Sequence, residues 1–326
     1  MKKRLHFLAT ILSCALVMFS SCSDDDDQLN ELEKEQAKSM TVDATAYDKW
    51  VYVNLKDGSS KSETIDPIAG LYKGDTDIKV AGKDYGSIKD LELKVSRISK
   101  DSVNFVLKDF AFNDKMKIDS VTSGAKFVVD SINGGLGYVF TGGQVVTEVG
   151  GMAIKATSKG YVMGKDINLT ISVIPGGMPM PINAFYKGTL EKGSVDETSF
   201  KWDLAFHRWD IKTNGGSALE TAETELANVK TVPAGSYVSD EESDEITVDM
   251  SMMMKGKIGY ATDHINKELG KWMHLDMSTM PPAYTASDKV YVVKSAEGKC
   301  IKIKFTDYMD NSGKKGHISF DYASVK

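Results

Sequence analysis

Cysteine is scarce in this sequence, which has three in 326 residues: Cys14, Cys22 and Cys300. Cys14 lies in an apolar N-terminal segment that we expect to be removed, and Cys22 lies where a lipid would be attached. Only Cys300 would then keep a free thiol, so the mature chain is not expected to contain an internal disulfide. Because no histidine lies near Cys300 in the sequence, we predict a structural thiol rather than a nucleophile.

Catalytic signatures are also missing. The sequence contains no G-x-S-x-G, no H-E-x-x-H and no Walker loop. Gly135-Leu136-Gly137 begins a dinucleotide-binding pattern, but Phe140 stands where the third glycine belongs. We interpret the glycines as a turn and predict that the protein is not an enzyme. Two carboxylates distant in sequence that meet in the fold are the alternative.

Basic residues are fewer than acidic residues in this sequence. Forty Lys and Arg residues stand against 46 Asp and Glu, which gives a net charge of −6 and a pI near 5.5. This balance argues against a nucleic-acid partner. An acidic cluster at 240–245 lacks the spacing of a calcium loop, and we interpret it as a solvated loop.

The N-terminus has the pattern of a bacterial lipoprotein. Lys2, Lys3 and Arg4 precede an apolar run at 5–19, and small residues then lead to Cys22. About 15 apolar residues are too few to span a bilayer and are typical of a signal peptide, here 1–21. A short buried helix is the alternative. Acyl chains on Cys22 would anchor the protein to a membrane.

An acidic segment follows the predicted anchor. Four aspartates occupy 24–27, directly after Ser23. They form either a solvated spacer or a segment that resembles the acidic tag of cell-surface lipoproteins. We favour the tag, and predict that residues 22–46 tether the protein to the outside of an outer membrane.

From Tyr47 onward, short alternating runs with frequent glycine and asparagine turns predict an all-β, mainly antiparallel fold with few short helices. Trp50 to Leu55 is predicted to be a strand, and Ile318 to Tyr322 the last one. A hairpin is predicted from Val290 to Phe305. Further strands are indicated by alternation at 91–95, 103–107 and 169–173.

Two other segments carry specific expectations. Lys201 to Ile211 is apolar on both faces and predicts one central strand, with His207 buried and hydrogen-bonded. Asp263 to Trp272 is the one helical candidate, because Ile265, Leu269 and Trp272 share a helical face and Asp263 suits a cap.

Methionine is concentrated in one window. Seven of the 16 methionines and two of the five histidines, His264 and His274, lie between Met250 and Met280. Thioether and imidazole are neutral axial ligands of haem iron, and flexible methionine side chains suit a flat porphyrin. Core packing is the alternative, because Val248, Met250, Met252 and Met254 alternate as in a half-buried strand.

Several motifs are similar to those of one family. Trp202-Asp203-Leu204-Ala205-Phe206-His207-Arg208 and the following Lys212-Thr213-Asn214-Gly215-Gly216 resemble the central motif of the HmuY-like haem-binding lipoproteins. Met280-Pro281-Pro282, Val290-Tyr291-Val292-Val293 and Glu297-Gly298-Lys299 follow in the order found in that family. The resemblance covers roughly the last 140 residues.

This resemblance implies a β-rich haemophore that captures haem and passes it to a TonB-dependent outer-membrane receptor. Two axial ligands, Met or His, vary among members. In this sequence the resemblance favours Met280 with Met253 or Met254, and His274 and His264 are substitutes. A surface domain that binds a host protein, glycan or small apolar ligand, without a functional haem site, is the alternative function.

The resemblance also implies a domain organisation. Residues 47–64 would supply the first strand of the HmuY-like haem-binding domain, and 184–326 the remainder. Residues 65–183 would be an inserted calycin-like β-barrel, which Leu71-Tyr72-Lys73-Gly74 and Pro181-Ile182-Asn183-Ala184-Phe185 resemble. Calycin barrels often hold small apolar ligands in the barrel mouth, although a packed interior is the alternative.

Overall fold

The computed structural model describes residues 37–326, apart from 114–115, 143, 150–151, 176–179 and 194–199. Ala37–Lys326 forms one compact unit. The predicted signal peptide, Cys22 and most of the tether lie outside the described residues.

The architecture is almost entirely antiparallel β structure, as the alternating sequence predicted. The described residues form 23 strands, one short α-helix, α1 (Lys267–Gly270), and two 3₁₀ turns, Leu226–Asn228 and Met253–Lys255. No helix in the described part of the chain is both long and apolar enough to cross a membrane.

The largest sheet contains a closed ring of eight strands. Its order is β11-β12-β4-β5-β6-β7-β8-β10, and pairing of β10 with β11 closes it; β9 pairs with β10 beside the ring. The strands follow one another along the chain: β4 (Gly70–Val80), β5 (Lys83–Ser99), β6 (Ser102–Asn113), β7 (Met116–Ile132), β8 (Gly135–Gly142), β9 (Gln144–Val149), β10 (Met152–Met163), β11 (Asp166–Pro175) and β12 (Ile182–Gly193).

Strand alternation fills the interior of the ring. Leu93, Phe105 and Leu169 are each at most 2% exposed, and the Phe105 and Phe140 rings meet edge to face at 5.0 Å between centroids. Intervening residues such as Glu92 and Lys94 are exposed. The strands predicted at 91–95, 103–107 and 169–173 are therefore confirmed, because a period of two separates buried from solvated side chains.

Two further sheets draw strands from both ends of the chain. A six-stranded sheet has the order β1-β23-β22-β21-β15-β16, and a four-stranded sheet the order β14-β13-β2-β3. Their bounds are β1 (Lys38–Asp43), β2 (Lys49–Val53), β3 (Ser60–Thr64), β13 (Leu204–His207), β14 (Asp210–Thr213), β15 (Ser217–Glu220), β16 (Val238–Ser239), β21 (Val290–Lys294), β22 (Cys300–Met309) and β23 (Lys315–Val325). The predicted hairpin at 290–305 and the last strand are confirmed.

The four-stranded sheet is shared between two hydrophobic cores. Trp50 and Tyr52 of β2 pack into the ring core, whereas Val51 and Val53 pack into the core beneath the six-stranded sheet. A strand that is buried on both faces needs apolar residues at every position. This explains the apolar runs Trp50–Val53 in β2 and Leu204–Phe206 in β13.

Lys201 to Ile211 does not form the single strand that the sequence predicted. β13 ends at His207, a turn follows at Arg208 and Trp209, and β14 pairs back on β13. Arg208 has a φ of 54°, in the left-handed region, where a reversal of the chain is accommodated. Burial on both faces at 204–207 is confirmed, but the length of the strand was wrong.

Two other local predictions were wrong. Gly135-Leu136-Gly137 begins β8 and is not the turn, which lies at Asn133 and Gly134. The acidic cluster at 240–245 is largely strand, because β17 (Glu241–Asp249) pairs with β18 (Gly259–Ile265).

Two hairpins complete the fold. The first arm is β17–β18 with its connecting loop, 241–265, and the second arm is β19 (Met273–Asp276) paired with β20 (Ala283–Ala286), 273–286. They carry all five residues proposed from the sequence as haem ligands.

Candidate functional site

Both arms start from the same short segment, Asn266–Trp272, which we call the root. The root follows β18 directly, includes α1, and leads into β19. Asn266, Leu269 and Trp272 are each at most 1% exposed. The arms are therefore fixed at their bases by buried side chains.

Asn266 begins α1, and Asp263 does not, because β18 continues through Ile265. The Asn266 Oδ1 accepts a hydrogen bond from the Leu269 amide at 2.9 Å, as a helix-capping residue does. Its Nδ2 donates to the Val238 carbonyl and to Asp240 Oδ1, each at 2.9 Å. One asparagine thus joins the start of α1 to the segment Val238–Asp240, which leads into β17 of the first arm.

Asp240 is half-buried beside this asparagine. Its carboxylate also accepts hydrogen bonds from the Thr213 amide at 2.7 Å and the Thr213 hydroxyl at 3.0 Å. Burial raises the pKa of Asp240 above its ordinary value, and the bonds from Asn266 and Thr213 offset only part of this effect. The residue is structural, and it was missed when 240–245 was interpreted as a solvated loop.

The first arm packs against the ring. Ile246, Val248 and Ala261 belong to the ring's hydrophobic core. At the tip, Lys257 Nζ lies 2.7 Å from Asp130 Oδ1 on β7. This packing fixes the body of the arm and leaves its tip at the surface.

The tip of the first arm exposes two methionines. β17 ends at Asp249, and a 3₁₀ turn carries Met253, 46% exposed, and Met254, 92% exposed. The half-buried strand that the alternation of Met250, Met252 and Met254 suggested does not extend past Asp249. The core-packing alternative is therefore wrong for Met253 and Met254.

The base of the second arm packs on an aromatic cluster. The Tyr284 ring stacks on Tyr308 with centroids 5.3 Å apart and lies 6.2 Å from Trp209. Trp272 Nε1 donates to the Trp209 carbonyl at 2.9 Å, and its ring lies 4.6 Å from Phe305. The turn at Trp209, which the sequence reading missed, therefore supports this arm.

The tip of the second arm is also rich in exposed methionine. Met280 is 92% exposed and Met277 is 69% exposed. The Met280-Pro281 peptide bond is cis. Asp276 accepts hydrogen bonds from the Ser278 hydroxyl at 2.6 Å and amide at 2.8 Å, which lower the pKa of its carboxyl. These bonds shape the turn that leads to Met280.

The histidines occupy different surroundings. His274 on β19 and His264 on β18 are exposed, one on each arm. His264 lies at the edge of a cleft of about 320 Å³ that Lys212 and Asp263 also line. His207 is 1% exposed and its Nε2 lies 2.7 Å from the Tyr47 carbonyl oxygen, so its predicted buried, hydrogen-bonded role is confirmed.

The candidate ligands therefore divide into two groups. Met253, Met254 and His264 lie on the first arm, with the methionines in its tip and His264 near its base, opposite Glu242. Met280 and His274 lie on the second arm, with Met280 in the turn and His274 in the strands, opposite Thr285. No cluster of three or more His, Cys, Asp or Glu that could hold a metal ion occurs among the described residues.

These features define a class: an antiparallel all-β protein with a closed ring and two hairpins that present methionine to solvent. The sequence model of the HmuY protein family matches residues 46–322, which is most of the chain. The protein belongs to the HmuY family, a family of haem-binding proteins that are not enzymes. The match includes the ring, both arms and the flanking sheets, apart from β1 and the last residues of β23.

Solved structures of similar length also match. An HmuY analog from Tannerella forsythia, solved without ligand, is 22% identical over 91% of this chain and 100% of its own, with a TM-score of 0.46. A protein described as HmuY-like and heme-binding from Bacteroides vulgatus is 22% identical over 88% and 91%, with a TM-score of 0.45. A protein described as a lipoprotein from Bacteroides fragilis is 24% identical over 89% and 90%, with a TM-score of 0.46. No curated protein matches the sequence significantly.

Proposed function

We propose that this protein binds haem at the tips of its two arms, with Met280 and either Met253 or Met254 as axial ligands of the iron. The observation that carries the proposal is the exposure of these thioethers on two hairpins that share one buried root. Large apolar side chains this exposed commonly mark a binding surface. Membership of the HmuY family supports haem as the ligand.

The donor set suits haem. Thioether sulfur is a neutral axial ligand of haem iron, and the flexible methionine side chain can follow a flat apolar face. Haem would bring an iron ion whose two axial positions are open to protein ligands. The haem would be carried by the protein and would not take part in a reaction there. The chain's own contribution is to hold the two ligand groups on arms that packing fixes at the base.

His274 and His264 are proposed as substitute ligands. Both are exposed, and each lies on the same arm as one of the methionine positions, His274 in the strands next to the Met280 turn and His264 near the base of the first arm. Imidazole is the other neutral axial ligand that haem proteins use commonly.

The place of action that we propose is the outer face of an outer membrane. Acyl chains on Cys22 would hold the protein there, and the acidic tether would separate the haem site from the membrane surface. A TonB-dependent outer-membrane receptor would accept the haem, so that the protein serves haem and iron acquisition.

We further propose that the ring is a calycin-like β-barrel inserted into the HmuY-like domain at about 65–183. The ring strands are continuous in sequence from Gly70 to Gly193, whereas the flanking sheets combine strands from both sides of this segment. That arrangement supports a discontinuous outer domain formed by 47–64 and 184–326. β1 (Lys38–Asp43), which lies in the segment expected to be tether, adds an edge strand to this domain. β12 carries the ring ten residues beyond the boundary expected from sequence, from 183 to 193.

Titration of the purified chain with haem tests the central proposal. We expect a saturable, low-spin, six-coordinate absorption spectrum in the oxidised and reduced forms, with band positions that separate methionine from histidine ligation. Absence of specific binding would contradict the haem proposal. The alternative, recognition of a host protein, a glycan or a small apolar ligand, would then become the function to test.

A further inference from the structure

The outer face of the ring carries an ordered row of side chains that the haem proposal does not use. Strand register aligns Lys187, Asn168 and Tyr161, then Val139 and Val128, on five neighbouring strands, β12, β11, β10, β8 and β7. The adjacent residues Val129, Phe140, Val162, Leu169 and Tyr186 are buried in the ring core. The row therefore faces outward, with a cation at one end and aliphatic groups at the other.

A groove opens along this row. Its volume is about 420 Å³, and Val139, Tyr161, Phe185, Lys159 and Lys187 contribute to its walls. Volumes of a few hundred Å³ are typical of sites for small molecules. A protein partner would need a much larger contact surface.

Gly160 forms part of the groove. A Cβ at this position would lie 2.0 Å from the Asn168 carbonyl oxygen, so the close approach of β11 requires glycine. The same residue marks the point where β10 changes its partner from β9 to β8. The groove therefore arises from the strand pairing at Gly160. Because Gly160 has no side chain, no rotamer change at this position can fill the groove.

Two lysines in the groove are available for an anion. Among the described residues, no carboxylate lies within ion-pair distance of the Lys159 or Lys187 ammonium. Asp75 is opposite Lys187 in register, but its carboxylate is bonded to Lys89 Nζ at 2.6 Å. Exposed Phe185 and Val128, 36% and 52% accessible, extend the apolar surface at the two ends.

We propose that this groove binds an amphipathic carboxylate of the fatty-acid class. The carboxylate would be held by Lys159 and Lys187, and the alkyl chain would lie across Tyr161 and Val139 toward Val128. Lys187 begins the row, and Lys159 lies on the same outer face of β10, two residues before Tyr161. A carboxylate between the two ammonium groups would leave Val139 and Val128 for contact with the alkyl chain. None of the residues that line the groove belongs to the arms, so the proposal does not rest on haem binding.

The test uses the purified chain and dansyl-labelled undecanoic acid, whose fluorescence rises in an apolar site. We expect saturable binding of the acid and about tenfold weaker binding of its methyl ester, because the ester cannot accept a charge-assisted bond. Joint replacement Lys159→Gln and Lys187→Gln should weaken binding of the acid about tenfold and leave the affinity for the ester unchanged. Lys94→Gln with Lys155→Gln, both exposed ring lysines, is the matched control.

Several results would overturn the site. They are absence of saturable binding, equal affinity for acid and ester, or equal losses in the double variant and its control. Met280→Ala should leave binding of the probe unchanged. Loss of probe binding in that variant would show that the probe binds at the arms and not in the groove. Val139→Glu, which places a negative charge in the row without touching the lysines, should abolish binding of the acid.

Discussion

The side-chain amide of Asn266 donates a hydrogen bond to the carboxylate of Asp240 across 2.9 Å. Asp240 precedes the first strand of the first arm, and Asn266 follows its second strand. The bond therefore closes the base of this arm at the point where the chain turns toward the second arm.

Replacement Asn266→Ala removes this bond, the bond to the Val238 carbonyl and the cap of α1. We expect a loss of about 2–3 kcal/mol in the free energy of unfolding, because buried partners are left without hydrogen bonds. Urea unfolding followed by tryptophan fluorescence measures it. Asn104→Ala, on the outer face of the ring, is the control and should change stability by less than about 0.5 kcal/mol. Equal effects in the two variants would show that Asn266 has no special role.

Asp66 gives a prediction for pH. Burial alone would raise its pKa, but hydrogen bonds from Arg97 and from the amides of Ala69 and Ile68 outweigh burial and lower the pKa. A carboxyl whose pKa is depressed by folding stabilises the fold above its unfolded pKa of about 4, and it loses that contribution as the pH falls through the folded pKa.

Asp66→Asn should therefore destabilise the protein by about 1–3 kcal/mol at neutral pH. The difference from the wild type should be constant above about pH 5 and shrink below about pH 4. Unfolding free energies measured from neutral to acidic pH give this curve. The control is Asp84→Asn, because the Asp84 side chain is 86% exposed and pairs with Lys79 at the surface. The stability of this variant should differ little from that of the wild type at any pH. A difference that grows as the pH falls would contradict the assigned sign.

The proposed ligands can be separated by single replacements. Met280→Ala should weaken haem binding by about tenfold or more and change the absorption spectrum, since even outer-shell changes at metal sites cost about 10- to 100-fold. Either Met253→Ala or Met254→Ala should weaken haem binding and change the spectrum to a similar extent, and the other variant should have only a small effect. Met180→Ala removes a 48% exposed methionine outside the arms and is the control. An unchanged spectrum and affinity would exclude Met280 as a ligand.

The lipid anchor has its own test. Cys22→Ala should move the protein from the membrane fraction to the soluble fraction, because stable anchoring here rests on acyl chains at that thiol. Fractionation of cells and immunoblotting measure the distribution. Cys300→Ala is the matched control and should remain with the membrane. A Cys22→Ala protein that stays in the membrane fraction would contradict lipidation at Cys22.

Alternation in the sequence was sufficient to predict the strands of the ring and the hairpin at 290–305, because a strand with one buried face repeats every two residues. The buried state of His207 followed from its apolar neighbours for the same reason. These are local properties, and each can be read within a window of a few residues.

The errors arose where distant residues decide the structure. Arg208 turns the chain in a left-handed conformation, and its guanidinium donates to the Thr45 carbonyl at 2.7 Å, 163 residues away in sequence. Asn266 caps α1 because Asp240 and Val238 meet it in space. The exposure of Met254 depends on the early end of β17 at Asp249, which the continuing alternation of the sequence concealed.

The order of strands along the chain also determines an order of assembly. All strands of the ring are present once synthesis has passed residue 193, so the ring can close while the remaining chain is still being made. Among the described strands, β1 pairs with β23 alone, and β2 has only the neighbouring β3 until β13 is made, so β1 and one edge of β2 stay unpaired until much later. Closure between strands so distant in sequence is slow. A chain truncated before β23 would keep a finished ring and leave β1 and β22 as open edges, the kind of surface on which strands of other chains aggregate.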